Sequence, residues 1–176
     1  DTTATGARLP RNGMMETLAA VKERLGLPKK MEEGRGVGIA LAEWRSGSGP
    51  STASISVNED GTVSLLTGSV DIAGSDTSLA QIAAEALGIP LGQVVVSKRD
   101  TDMAPFTQPT GGSRIVYSQG KAVQMAAEDA LKKLYALAAN RLGVPADALA
   151  NSEGRVYVQD NPPQGLTLGQ LGRMTL

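Results

Sequence analysis

Residues 51–98 read STASISVNEDGTVSLLTGSVDIAGSDTSLAQIAAEALGIPLGQVVVSK. Ile55, Val57, Val63 and Leu65 alternate with small polar residues on either side of Asp60-Gly61. That period of two, broken by a turn pair, predicts a β-hairpin. From Leu79 the period changes to Leu79, Ile82, Ala83, Ala86 and Leu87, one face of a helix. Ser75, Asp76 and Thr77 supply N-cap chemistry before it, and Gly88 with Pro90 stops it. "QVVVSK" (93–98) then reads as a short buried strand.

Downstream, "RDTDMAPFTQPTGG" (99–112) is aperiodic and predicts a long loop, a common place for binding residues. Val123, Ala126, Ala127, Ala130, Leu131, Leu134, Leu137 and Ala138 then predict a helix over 114–142, with Glu128–Lys132 and Asp129–Lys133 pairs outside. "VPADAL" (144–149) reads as at most a helical turn and "GRVYVQ" (154–159) as a last strand. "TLGQLGRM" (167–174) opens another helix with a Thr-x-x-Gln capping box. Upstream, Met14, Leu18, Val21 and Leu25 predict a helix ended by Gly26 and Pro28, and "GRGVGIALAEW" (34–44) reads as a small-residue strand. "LGLP", "LGIP" and "LGVP" each follow a helix, which reads as one shared stop signal rather than a structural repeat.

The expectation is an α+β fold: two layers, a mixed sheet with helices mainly on one face, and a strand-strand-helix-strand-helix-strand core. The expected division is an N-terminal extension with one helix (1–33), a main domain part (34–160) and the start of a truncated following element (161–176). Beginning at Asp1 rather than methionine, the chain reads as a processed product or an excised fragment.

Composition narrows the chemistry. The 17 basic and 18 acidic residues balance, so no broad attraction to nucleic acid or to anionic membrane is expected. No apolar run approaches the ~20 residues that span a bilayer. The chain has no cysteine and no histidine, which removes thiolate metal sites, imidazole bases and Ser-His-Asp triads. Any redox or hydrolytic chemistry must be carried by a cofactor or by another part of the protein. Aromatic residues are only 3%, so the core is aliphatic and alanine-rich.

Two segments run from a small-residue turn straight into a helix: Val70 to Asp76, and Thr110-Gly111-Gly112-Ser113-Arg114. A helix N-terminus offers unpaired N–H groups and a positive dipole end, and glycine permits close approach. The second segment adds a hydroxyl and a guanidinium, the parts of an anion cradle, though the same parts serve ordinary capping. In the first, Asp71 and Asp76 would repel an anion. "GRGVG" (34–38) lacks the third glycine of a dinucleotide fingerprint. Asp100 and Asp102 read as turn-capping residues rather than metal ligands. Met31, Met125 and Met174 read as packing residues, Trp44 as core or rim, and Phe106 as a loop contact.

"TGSVDIAGSDTSLAQIAAEALGIPLGQVVV" (67–96), "RDTDMAPFTQPTGGSRIVYSQGKAV" (99–123) and the alanine-rich helix behind them resemble the large, molybdenum-binding subunit of the xanthine dehydrogenase, aldehyde oxidase and carbon monoxide dehydrogenase family. The resemblance covers about residues 34–145, and the segments from Asp1 to Leu9 and over 165–171 also fit. It implies a cytoplasmic molybdenum-dependent oxidoreductase that oxidises an aldehyde, N-heterocycle or similar carbon centre with oxygen from water. Its molybdenum would be held by molybdopterin, often as the cytosine dinucleotide. Flavin and iron–sulfur subunits or domains and the remaining domains of the large subunit would be partners, alongside a small-molecule substrate.

Gly112, Ser113, Arg114 and Ile115 fall on the family's second cofactor loop, and Ala73, Gly74 and Ser75 on the first. There the sequence departs: "DIAGSDT" is one residue shorter than the Gly-Gln-Gly form and lacks its glutamine. The family's catalytic glutamate lies C-terminal to the matched stretch, so the chain alone is expected to be inactive and without bound cofactor. The alternative is a stand-alone anion-binding or protein-interaction domain without redox activity.

Overall fold

The computed structural model describes residues 2, 6, 8–9, 12–27, 30–42, 44, 46–97 and 100–174. Pro28 and Arg99, named above, lie outside them, as do several residues of the 1–9 segment. The chain divides into two compact units, residues 1–43 and 44–176.

In the first unit, α1 spans Met14–Arg24 and none of its residues is buried. No strand forms over the described part of 34–44. Gly34, Gly36 and Gly38 offer no side chains to pack and raise the entropy cost of a strand, which outweighs the weak β signal there.

The second unit opens with the expected hairpin, β1 (Ala53–Val57) and β2 (Val63–Thr67). Ile55 faces Leu65 and Val57 faces Val63 across it. Helix α2 (Ser75–Leu87) crosses over to β3 (Val94–Ser97), which lies parallel to β2, so the sheet order is β1-β2-β3. β3 is therefore an edge strand rather than a fully buried one, and Val95 is half-exposed. A π-helical turn, Ile115–Gln119, leads into α3 (Gly120–Leu142). Leu65, Leu79, Ala83, Ile115 and Val123 are buried together, with Ala53, Ile55, Val94 and Val96 packed on them. This is the expected helix layer on one sheet face, and the α+β class is confirmed.

The rest of the chain builds a second sheet. β4 (Leu149–Ser152), β5 (Arg155–Val158) and β6 (Asn161–Thr167) form an antiparallel meander. The predicted last strand thus joins its own small sheet rather than extending the first. α4 (Leu168–Arg173) follows, with the Thr167–Gln170 capping box formed in both directions. Leu168 and Leu171 enter the same buried cluster as Val63, Leu87, Leu134 and Val156.

The three "LG-x-P" stops share one geometry. Gly26, Gly88 and Gly143 all have left-handed φ. The next residue's N–H returns to a carbonyl five positions back: Leu27 to Lys22, Ile89 to Ala84, Val144 to Ala139. That is the 6→1 bond of a Schellman cap, so the shared motif is a helix stop. Met125 and Met174 are exposed rather than packed.

The hairpin turn carries a pH prediction. Asp60 accepts from the Thr62 hydroxyl at 2.6 Å and from its N–H at 2.8 Å. These bonds favour the charged form and hold the carboxyl below its usual range. Their contribution is complete above the unfolded value near 3.9 and is lost as pH falls through the lower folded value. Asp60→Asn should therefore flatten the decline in melting temperature below about pH 4, measured against the parent from pH 6 to 2; an unchanged slope would remove Asp60 from the acid response.

Candidate functional site

Each of the two glycine-bearing turns holds a consecutive left-handed pair. In the first these are Ala73 (φ 54°) and Gly74 (φ 75°). In the second they are Gly112 (φ 62°) and Ser113 (φ 56°). A non-glycine residue at such φ costs on the order of 1–3 kcal/mol and persists where its surroundings over-determine it.

Those surroundings tie the turns together. Val70 donates its N–H to the Thr110 hydroxyl at 3.3 Å, across 40 positions of sequence. Gly47 donates its N–H to the Gly112 carbonyl. Arg114 donates from Nε to the Gly111 carbonyl at 3.0 Å and from Nη1 to Gln108 Oε1 at 3.3 Å, so its guanidinium braces the loop that precedes it. Gly68 admits no side chain, because a Cβ there would meet the Pro105 carbonyl oxygen.

The result is one mouth of about 680 Å³, lined by Trp44, Ile72, Ala73, Ser75, Ser78, residues 110–115 and Val116. Of the seven residues singled out in the sequence, six line it, and Gly74 sits between Ala73 and Ser75 as the N-cap of α2. Trp44, Ile72, Ser78, Thr110, Gly111 and Val116 complete the wall. Trp44 is 78% exposed, so it is a rim residue and not core. Val70, Ile72, Phe106, Val116 and Tyr117 are also exposed, an apolar fringe unusual on a free surface.

The two walls differ chemically. At the first turn the protein supplies its own anion: Asp71 Oδ1 accepts from the Asp76 N–H at 3.1 Å and from the Ser75 hydroxyl at 3.2 Å. At the second, among the described residues, no acceptor faces the N–H groups of residues 113–117; the first bond back is from the Ser118 N–H to the Arg114 carbonyl. A Cβ on Gly111 or Gly74 would meet nothing within 4 Å, so both glycines border open space. Open amides and a guanidinium with donors to spare suit an anionic group. Asp100 accepts from the N–H groups of Asp102 and Met103, the turn-capping role expected of it, and no metal-binding cluster occurs among the described residues.

Sequence reading missed the π-helical turn and Gln119, which is fully buried at its end. The available signal was spacing: Ile115, Gln119, Val123 and Ala127 form an i,i+4 ladder in which one member is polar.

Residues 14–175 match the family described as the molybdopterin cofactor-binding domain. The chain is 30% identical over 177 residues to the xanthine dehydrogenase molybdenum-binding subunit of Escherichia coli, covering 92% of this chain and 24% of that protein. Among solved structures it is similar to the reconstituted CO dehydrogenase from Oligotropha carboxidovorans, with TM-score 0.63 and 31% identity over 69% of this chain and 15% of that one. It is also similar to the aldehyde oxidoreductase from Desulfovibrio gigas, with TM-score 0.55 and 29% identity over 75% of this chain and 16% of that one. The chain thus spans a quarter or less of the length of these relatives. The matched span takes in the whole of the mouth and the core beneath it, and on that ground this chain belongs to the molybdopterin cofactor-binding domain family.

Proposed function

We propose that this chain is part of the large subunit of a molybdenum hydroxylase and forms one wall of its cofactor site. Gly112, Ser113, Arg114 and Ile115 would hold the anionic end of molybdopterin through backbone N–H groups and the Arg114 guanidinium. Ala73, Gly74 and Ser75 would line the facing side with backbone and small side chains. The observation that carries this reading is the row of open amides over 113–117, set in a mouth shared by two left-handed turns.

Bound there, the group supplies redox chemistry that a chain without cysteine or histidine lacks, and the parent protein would oxidise an aldehyde, N-heterocycle or similar carbon centre with water as oxygen source. The chain's own share is to bind, orient and exclude water. The apolar fringe around the mouth supports coverage by the remaining domains of the large subunit. Flavin and iron–sulfur partners, a cytosine dinucleotide form of the pterin, a cytoplasmic location and an inactive, cofactor-free isolated chain belong to the same reading. So does the division into an extension over 1–33, a cofactor-binding part over 34–160, and a further segment over 161–176, whose strand β6 pairs with β5.

Molybdenum and released pterin, assayed together in the purified full-length protein, test this. One of each per chain supports the reading. An anion-binding protein free of both supports the stand-alone alternative and overturns it.

A further inference from the structure

Gln119 is fully buried on a helix face whose other members, Ile115, Val123 and Ala127, are apolar. Its Nε2 donates to the Thr52 carbonyl at 2.7 Å, across 67 positions. Its Oε1 is buried and has no partner among the described residues. A half-satisfied buried amide is a liability that an apolar side chain of similar length would avoid, so its presence calls for a use beyond packing.

The contacts supply one. Thr52, which receives the Gln119 amide, donates both its N–H (2.9 Å) and its hydroxyl (2.7 Å) to the Phe106 carbonyl. Next to it Ser51 and Thr107 form a β-bridge. From Phe106 the chain runs through the loop to Gly112 and Ser113, turns through the π-helical turn, and returns to Gln119. The ring Gln119–Thr52–Phe106–Ser113–Gln119 closes around the second wall of the mouth. Among the described residues, the one side-chain hydrogen bond that ties the end of the π-helical turn to Thr52, just before β1, is that of the Gln119 amide.

We propose that Gln119 is a positioning residue: its amide fixes the π-helical turn against Thr52, and so fixes the direction in which the N–H groups of residues 113–117 face the mouth. Its role in cofactor loading rests on the function proposed above; its role in ordering the loop does not.

The test uses Gln119→Met and Gln119→Leu in the full-length protein, with three readouts: melting temperature, hydrogen exchange of the Gly47, Thr52 and Val70 amides, which bond to the loop, and pterin retained after gel filtration. The expected result is a melting temperature close to the parent's, because losing the bond is offset by removing the orphan oxygen. Exchange should rise about tenfold at those three amides alone, the scale of one hydrogen bond, and pterin retention should fall by a similar factor. Unchanged exchange at those amides would overturn the proposal. So would a large fall in melting temperature with faster exchange throughout the core, the mark of an ordinary packing residue. Faster local exchange with full pterin retention would overturn the loading role. A parent protein that holds no pterin would overturn the reading of the mouth, and the loading role with it.

Discussion

Gly111→Val should leave the protein folded and deprive it of cofactor. Gly111 lines the mouth, its φ is not left-handed, and a Cβ there meets nothing within 4 Å. Valine is therefore accommodated by the chain itself, and the melting temperature should move by no more than a surface substitution allows, about 0.5 kcal/mol in stability. The added methyl groups enter the cavity that Gly111 lines together with residues 113–116. Filling a fitted site by that amount costs about 1–3 kcal/mol, so bound molybdopterin should fall roughly 5- to 150-fold at fixed supply. Pterin content of variant and parent, purified in parallel, measures it. Full loading in Gly111→Val would place the ligand elsewhere.

Leu65→Ala should produce the largest loss of stability. Leu65 lies on β2, the central strand of the first sheet, and is fully buried against Leu79, Ile115 and Val123. Removing such a side chain from a packed core costs about 3–5 kcal/mol, transfer and cavity together. For a chain of this length that is a fall in melting temperature of roughly 6–20 °C. Val95→Ala, on the half-exposed outer face of β3, is the control and should cost far less. Since Leu65 supports the start of α2 and the turn at Ile115, its loss should also loosen both walls of the mouth. A fall no larger than that of Val95→Ala would mean that the packing around Leu65 is not the core of the fold.

What could be read in advance was local. The hairpin was legible because its side chains alternate around Asp60-Gly61, and the helix stops because glycine alone fits the left-handed cap cheaply. The capping box at Thr167 was legible for the same reason. β6 was not: Pro162 and Pro163 argue against a strand, and are tolerated because β6 is an edge of its sheet. β4 was hidden by the short, mixed sequence Leu-Ala-Asn-Ser, whose pairing with β5 is a tertiary choice. The candidate site was legible as two separate turns, since glycine next to serine before a helix is a local signal. Their meeting was not, because the Val70–Thr110 bond and the brace of Arg114 on Gln108 depend on how the sheet and α2 set the loop. The self-capping by Asp71 was half-visible: the charge was plain, and its bond to the Asp76 N–H was not.

The central claim is that the backbone N–H groups following Gly112 face a bound anionic cofactor. A crystal structure of the full-length protein carrying molybdopterin tests it most directly. The account predicts cofactor oxygens at hydrogen-bond distance, about 2.7–3.2 Å, from N–H groups within residues 113–117. The same cofactor seated elsewhere, with those amides covered by protein atoms from a neighbouring domain, would contradict it.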